Sequence, residues 1–415
     1  MAIVLVACVL GYVLVAQRLS SSPITAPIVF IGLGLLMSLA PPLDQGTGTE
    51  ALYLLAEIAL IILLFIDAAQ IDVPTLLHHH QWSRRILLIG MPLAMLMGAG
   101  VHWLIVPEFG WPVALLIGAL LVPTDAALGQ PVISNTAIPP RPRRALSVES
   151  GLNDGIALPA VLITAALVAP GTEDPPFGWT VFAASQVILG PLVGMAGGWI
   201  GGTLFIKAKE NGYSAPAYEG IGALALAILL YLAAGAVGGN GFIAAFAGGL
   251  LFNSVVGDRC RFVYEFTDSE GQLLSWGAFL LIATYLLPAA LAEITPSMLA
   301  IILLSLFVVR PIAIYLSLIG TDASPVTRLF FGWFGPRGLA TAVFALIVTD
   351  LVARDVSDWL LALAVNTVFI SAVLHGLSAA PLGRWYAAYL SRRPDCPEQT
   401  TKPQTAKPLP TERSG

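Results

Sequence analysis

The chain has 415 residues and a formal net charge of −5; 57% of it is hydrophobic and only 11% charged. No soluble domain is built this way, and three scattered cysteines (Cys8, Cys260, Cys396) are too few for a disulfide framework or a zinc site. The composition is that of an all-α polytopic membrane protein.

A membrane-crossing helix needs about 17–25 apolar residues. On that length the spans fall near 2–17, 24–40, 50–68, 85–106, 111–136 (broken), 144–170, 178–206, 217–236, 239–256, 271–290, 294–319, 326–350 (broken) and 357–381, about thirteen in all. The first run starts at Met1 with no basic stretch before it, so it reads as a retained span and not as a cleaved signal. The ninth, through Asn240, Ala247, Gly248 and Gly249, is the weakest. The loops alternate in charge. One set holds Arg18, Arg84, Arg85, Arg141, Arg143, Arg144, Lys207, Lys209, Arg259, Arg261, Arg328 and the bases from Arg384 onward. The other is acidic, with Arg354 its only base. The positive-inside rule then puts the C-terminus in the cytoplasm and the N-terminus outside.

The third span carries two acids. Asp67 lies near its cytoplasmic end, either reaching toward an ion site or resting at the interface with Asp72; Glu57 is a deeper, unassigned acid. His78, His79 and His80 follow, and read as a pH-sensing run or as a plain interfacial loop. The fifth span is interrupted at Pro123 and Gly129, and the twelfth at Gly335-Pro336, seven spans later. Seven is odd, so the two copies run in opposite directions. Inverted repeats with matching broken helices crossing at the midplane are how transporters place a binding site, although Gly and Pro are common in membrane helices anyway. In the seventh span Gly190, Gly194, Gly198 and Gly202 recur every fourth residue, a face for close approach to a neighbouring span or a second subunit. Residues 393–415 read as a disordered cytoplasmic tail.

The sixth span concentrates the chemistry. Spacings of three and four put Ser150, Asn153 and Asp154 on one helix face, with Glu149 beside them. A carboxylate at the bilayer centre costs about 3 kcal/mol or more, so an acid there is a functional candidate, with burial for packing as the bland alternative. Asp154 could hold a proton or a partly dehydrated sodium ion, but not both. A hard cation needs several oxygens; Ser150 lies one turn away, and the interrupted backbone at Thr124 and Asp125 offers more. Arg337 and Arg310 are bases inside apolar sequence and must be paired; the partner of Arg310 is open. His102 and His375 are single histidines with a structural role.

PTD at Pro123–Asp125, ESGLNDG at Glu149–Gly155 and GPRGLAT at Gly335–Thr341 resemble the monovalent cation:proton antiporter-1 family of sodium/proton exchangers over roughly Gly11 to Leu390. The resemblance implies a cation site of Thr124, Asp125, Ser150 and Asp154, with Asp67 as an outer ligand in some relatives. It implies a Glu149–Arg337 structural ion pair, and an Asn153-Asp154 pair typical of electroneutral exchange. It also implies a homodimer in the plasma membrane, with an ion-carrying bundle (about 85–170 and 294–381) sliding against a scaffold (about 1–68 and 178–290) within a transmembrane domain of residues 1–392. The expected partners are monovalent cations (Na+, or Li+ or K+), protons and the lipid bilayer, with no cofactor and no nucleic acid. A cation channel, an organic-anion symporter and an intramembrane enzyme are the weaker alternatives: no filter-like loop, no spare positive charge and no HExxH motif supports them.

Overall fold

Pro123 and Pro336 set the architecture, because a proline has no N–H to donate and pushes its preceding residue out of the helical region. The computed structural model describes residues 2–19, 25–39, 45–71, 81–168, 178–349 and 351–399, and every regular element among them is helical. The chain begins with α1 (Ala2–Leu19), α2 (Ala26–Ser38), α3 (Gln45–Ala69) and α4 (Gln81–Ile105). At Pro123 it breaks into α5 (Gly110–Leu120) and α6 (Ala126–Ile133). Next come α7 (Pro140–Val168), α8 (Gly178–Glu210), α9 (Pro216–Ala236), α10 (Gly241–Val256), α11 (Arg261–Tyr285) and the short α12 (Leu287–Ala292). The last part holds α13 (Pro296–Ser317), the second broken pair α14 (Pro325–Trp333) and α15 (Leu339–Thr349), and α16 (Arg354–Ser391). His78–His80 lie outside the described residues.

α4, α7, α9, α13, α16 and most of α8 are each long and apolar enough to cross a membrane. Leu96, Leu104, Leu192 and Leu204 are exposed along them, as a hydrocarbon-facing surface requires. The protein is a multi-pass membrane protein.

The repeat is deeper than the two breaks. α4 contains a π turn at Ile86–Gly90 followed by Met91-Pro92, and α13 contains one at Ser305–Val309 followed by Arg310-Pro311. In each case the widened turn accommodates a proline that cannot close the regular ladder. α4 precedes the first broken pair and α13 precedes the second, so the same device sits in the same place twice.

The glycine face of α8 is spent inside the chain. A Cβ at Gly190 would strike the backbone of Asn240, the N-cap of α10, and one at Gly194 or Gly198 that of Ala244 or Gly248 on α10, while Gly197 and Gly201 face Leu230 and Leu226 on α9. The partner is therefore a pair of neighbouring helices. α3 also packs on α10 and α11, and α2 on α11.

A separate apolar cluster closes the end where α4, α7 and α14 begin, built on Trp82, Leu146, Phe331 and Tyr386. Here residues 393–399 depart from the expected disordered tail. Glu398 is 1% exposed. Its carboxylate accepts from the Ser324 backbone N–H at 2.9 Å and the Thr327 hydroxyl at 2.7 Å, at the N-terminus of α14. The Pro397 carbonyl accepts from Arg141 at 2.8 Å. Proline-rich composition suggested disorder, whereas a helix N-terminus offers a carboxylate both free donors and a favourable dipole. Burial opposes the Glu398 charge, but the Thr327 and Ser324 donors outweigh it and hold this carboxyl below its ordinary range. Beside it Arg141 grips Asp322 with two hydrogen bonds of 2.8 and 2.9 Å, and its guanidinium lies 3.9 Å over the Trp82 ring. Burial again opposes the Asp322 charge, and Arg141 and the Trp82 indole N–H overcome it, keeping the Asp322 carboxyl low. Residues 400–415 lie outside the described residues.

Candidate ion-binding site

The two breaks meet each other. Asp125 is the N-cap of α6: its Oδ1 accepts the N–H groups of Ala127 (2.7 Å) and Leu128 (3.2 Å). Its Oδ2 accepts the N–H of Leu339, the first residue of α15, at 3.0 Å. The Asp125 N–H donates to the Pro336 carbonyl at 2.8 Å, closing the crossing. One carboxylate thus serves the positive ends of two half-helices. The opposite charge sits at the opposite ends. Arg337 Nη1 donates to the carbonyls of Val122 (3.2 Å) and Gly335 (3.1 Å), just beyond the C-termini of α5 and α14. Two glycines make room: a Cβ on Gly338 would fall on the Asp125 carboxylate, and one on Gly335 on the Arg310 guanidinium.

Glu149 does not pair with Arg337. Its Oε1 accepts from Arg310 Nη2 at 2.5 Å, with Glu149 2% and Arg310 4% exposed. Arg310 follows the π turn of α13 and meets Glu149 of α7, while Arg337 is held by carbonyls at the crossing. The open partner of Arg310 is therefore Glu149, and the expected Glu149–Arg337 pair is replaced.

Asp154 lies one turn beyond Ser150 on α7, and its Oδ1 is buried without a hydrogen-bond partner. Asn153 Nδ2 donates to the Thr124 hydroxyl, which joins α7 to the first break. Thr124 and Asn153 are each 2% exposed, and Ser150 9%. Asp67 sits against α7: a Cβ built on Gly151 would come within 3.7 Å of its carbonyl oxygen. This places the α3 acid beside the Ser150–Asp154 turn. Asp154, Thr124 and Ser150 gather at one crossing with oxygens of the type that hard cations prefer, and Asn153 joins them through its Nδ2. Asp125 is brought to the same place, but both its oxygens are engaged by helix N-termini. Glu57 is tied elsewhere, accepting from the Tyr231 hydroxyl of α9.

His375 takes the structural role expected of it, and Thr341 escaped the sequence. His375 bridges α16 to the second break: its Nε2 lies 3.0 Å from the Trp333 carbonyl, and its Nδ1 3.0 Å from Ser371 Oγ, which accepts the Arg337 N–H at 2.7 Å. The i,i+4 spacing of Ser371 and His375 was the available signal. Thr341, within GPRGLAT, is fully buried with its hydroxyl unpartnered.

The family description "Sodium/hydrogen exchanger, transmembrane" matches residues 4–385. The chain belongs to the sodium/hydrogen exchanger family. Within that family it is 29% identical over 92% of its length to the K(+)/H(+) antiporter NhaP of Alkalimonas amylolytica. It is 25% identical over 98% to the K(+)/H(+) antiporter NhaP2 of Shewanella sp. strain MR-4. The chain spans 66% and 69% of those two relatives' lengths. Its fold matches the sodium proton antiporter MjNhaP1 of Methanocaldococcus jannaschii with a TM-score of 0.75 at 21% identity, covering 93% of this chain and 97% of that one.

Proposed function

We propose that this exchanger-family protein is a secondary antiporter that swaps one monovalent alkali cation for one proton at Asp154, by alternating access and without net charge movement. The observation that carries the reading is the buried, unpartnered Asp154 Oδ1 beside the Thr124–Asn153 contact at the crossing of two broken helices. Ser150 and Thr124 supply neutral oxygens, Asp67 approaches from α3, and Asn153 leaves one titrating carboxylate where a second acid would add a second charge. Asp125 and Arg337 neutralise the half-helix ends, and the Glu149–Arg310 pair braces α7 against α13. A proton on Asp154 removes the charge that holds the cation, so the two ions exclude each other. Sodium is the reference cation; the names of the two relatives favour testing potassium beside it. The carrying bundle is residues 85–170 and 294–381, working against a scaffold of 1–68 and 178–290 in a homodimer. The protein sits in the plasma membrane with its C-terminus in the cytoplasm.

Reconstitution into vesicles with a trapped pH dye tests this. Sodium or potassium added outside collapses an imposed pH gradient for the wild type, equally with and without a clamped membrane potential. Strong voltage dependence would overturn the one-for-one stoichiometry; saturable flux without proton movement would favour a channel.

A further inference from the structure

Glu149, Asn153 and Arg310 line one small cavity between α4, α7 and α13, large enough for a single water molecule. Each is at least 96% buried, and each carries one buried polar atom left over after its other contacts. These atoms are Glu149 Oε2, Asn153 Oδ1 and Arg310 Nε. Two are acceptors and one is an N–H donor. An alkali cation there would be opposed by the guanidinium, and an anion by the carboxylate and the amide oxygen. A neutral water fits that set, accepting one hydrogen bond and donating two. We infer that this cavity is a dedicated site for one ordered water, which accepts from Arg310 Nε–H and donates to Glu149 Oε2 and Asn153 Oδ1.

The water gives the Glu149–Arg310 pair a hold on the exchange site. With Oδ1 of Asn153 turned to the water, its Nδ2 points at Thr124, where the contact is made. An amide turned over would need the water to accept a second hydrogen bond and the Thr124 hydroxyl to donate instead of accept, so the two contacts together favour this orientation. Asn153 is thus a positioned residue, and the pair behind it orients the oxygens that meet the cation. That consequence for transport rests on Asp154 being the exchange site; the water itself does not.

A density map of the full chain in lipid nanodiscs, at about 2 Å or better, tests the site. It should show one peak at hydrogen-bond distance, about 2.7–3.2 Å, from all three atoms. A cavity filled by the Leu87 side chain, or an Asn153 amide turned toward Glu149, overturns it. Ala94 also lines the cavity. Ala94→Leu should remove the peak and weaken apparent cation affinity about tenfold while leaving the maximal exchange rate within about twofold, as loss of an orienting partner does. Ala94→Ser should keep both peak and affinity. If Ala94→Leu loses the peak with affinity unchanged, the orienting role is refuted; if that variant misfolds, Ala94→Val is read in its place. A missing wild-type peak with Asp154→Asn inactive refutes this site alone, and a peak with Asp154→Asn still exchanging refutes only the exchange reading.

Discussion

Replacing Glu149 by Gln leaves two buried guanidiniums, Arg310 and Arg337, with no carboxylate bonded to either. Glu149 is 2%, Arg310 4% and Arg337 1% exposed, so solvent screens none of the three. Removing one partner of a buried ion pair costs about 3–5 kcal/mol, because the remaining charge is stranded, while removing both is far closer to neutral. Glu149→Gln should therefore lower stability by about 3–5 kcal/mol, and Arg310→Gln added on top should restore most of it. Arg337→Gln should not rescue Glu149→Gln, since Arg337 is bound to the carbonyls of Val122 and Gly335 and its loss exposes two helix C-termini. The assay is thermal unfolding of the purified protein in detergent for Glu149→Gln and its two double variants, followed by the surviving monodisperse fraction. Rescue by Arg337→Gln and not by Arg310→Gln would refute the pairing and reinstate the partner suggested by family resemblance.

Other outcomes follow from the same contacts. Asp125→Ala removes the cap of two helices at once; at about 0.5–2 kcal/mol per cap, it should cost about 1–4 kcal/mol and lower thermal stability whether or not cation is present. A destabilisation seen only with cation would instead make Asp125 a ligand. Gly198→Val places a side chain on the α10 backbone and should cut the yield of folded protein; an effect confined to dimerisation would mean that this face meets a second subunit. The carboxyls of Asp322 and Glu398 are held below their ordinary values, so their contribution is complete above the unfolded carboxyl range and is lost as pH falls through the lower folded values. Stability of the α4–α7–α14 end should thus decline only in acid, and Glu398→Gln should flatten that limb of a melting-versus-pH curve; an unchanged limb would refute the clasp.

Pro123 and the Gly335-Pro336 pair announced the two breaks, because proline geometry acts locally and survives any tertiary context. The acids of the sixth span were legible for the same reason: a carboxylate in apolar sequence stands out wherever it packs. Pairing was not legible. Arg310 and Arg337 are both single bases in apolar sequence, and which of them reaches Glu149 depends on packing between distant helices that spacing does not record. The double duty of Asp125 was hidden too, since its second oxygen serves a helix that starts far along the chain at Leu339. Residues 393–399 were misjudged because composition records propensity, and Glu398 is ordered by donors on Ser324 and Thr327 that sequence proximity does not reveal.

The most direct test of Asp154 as a seat shared by proton and cation is cation binding to the purified protein across a pH series. Below the pH at which Asp154 titrates, apparent cation affinity should fall about tenfold per pH unit, with one proton released per cation bound. Asp154→Asn should abolish both the binding and the release. Affinity that stays constant with pH, or proton release that persists in Asp154→Asn, would contradict it.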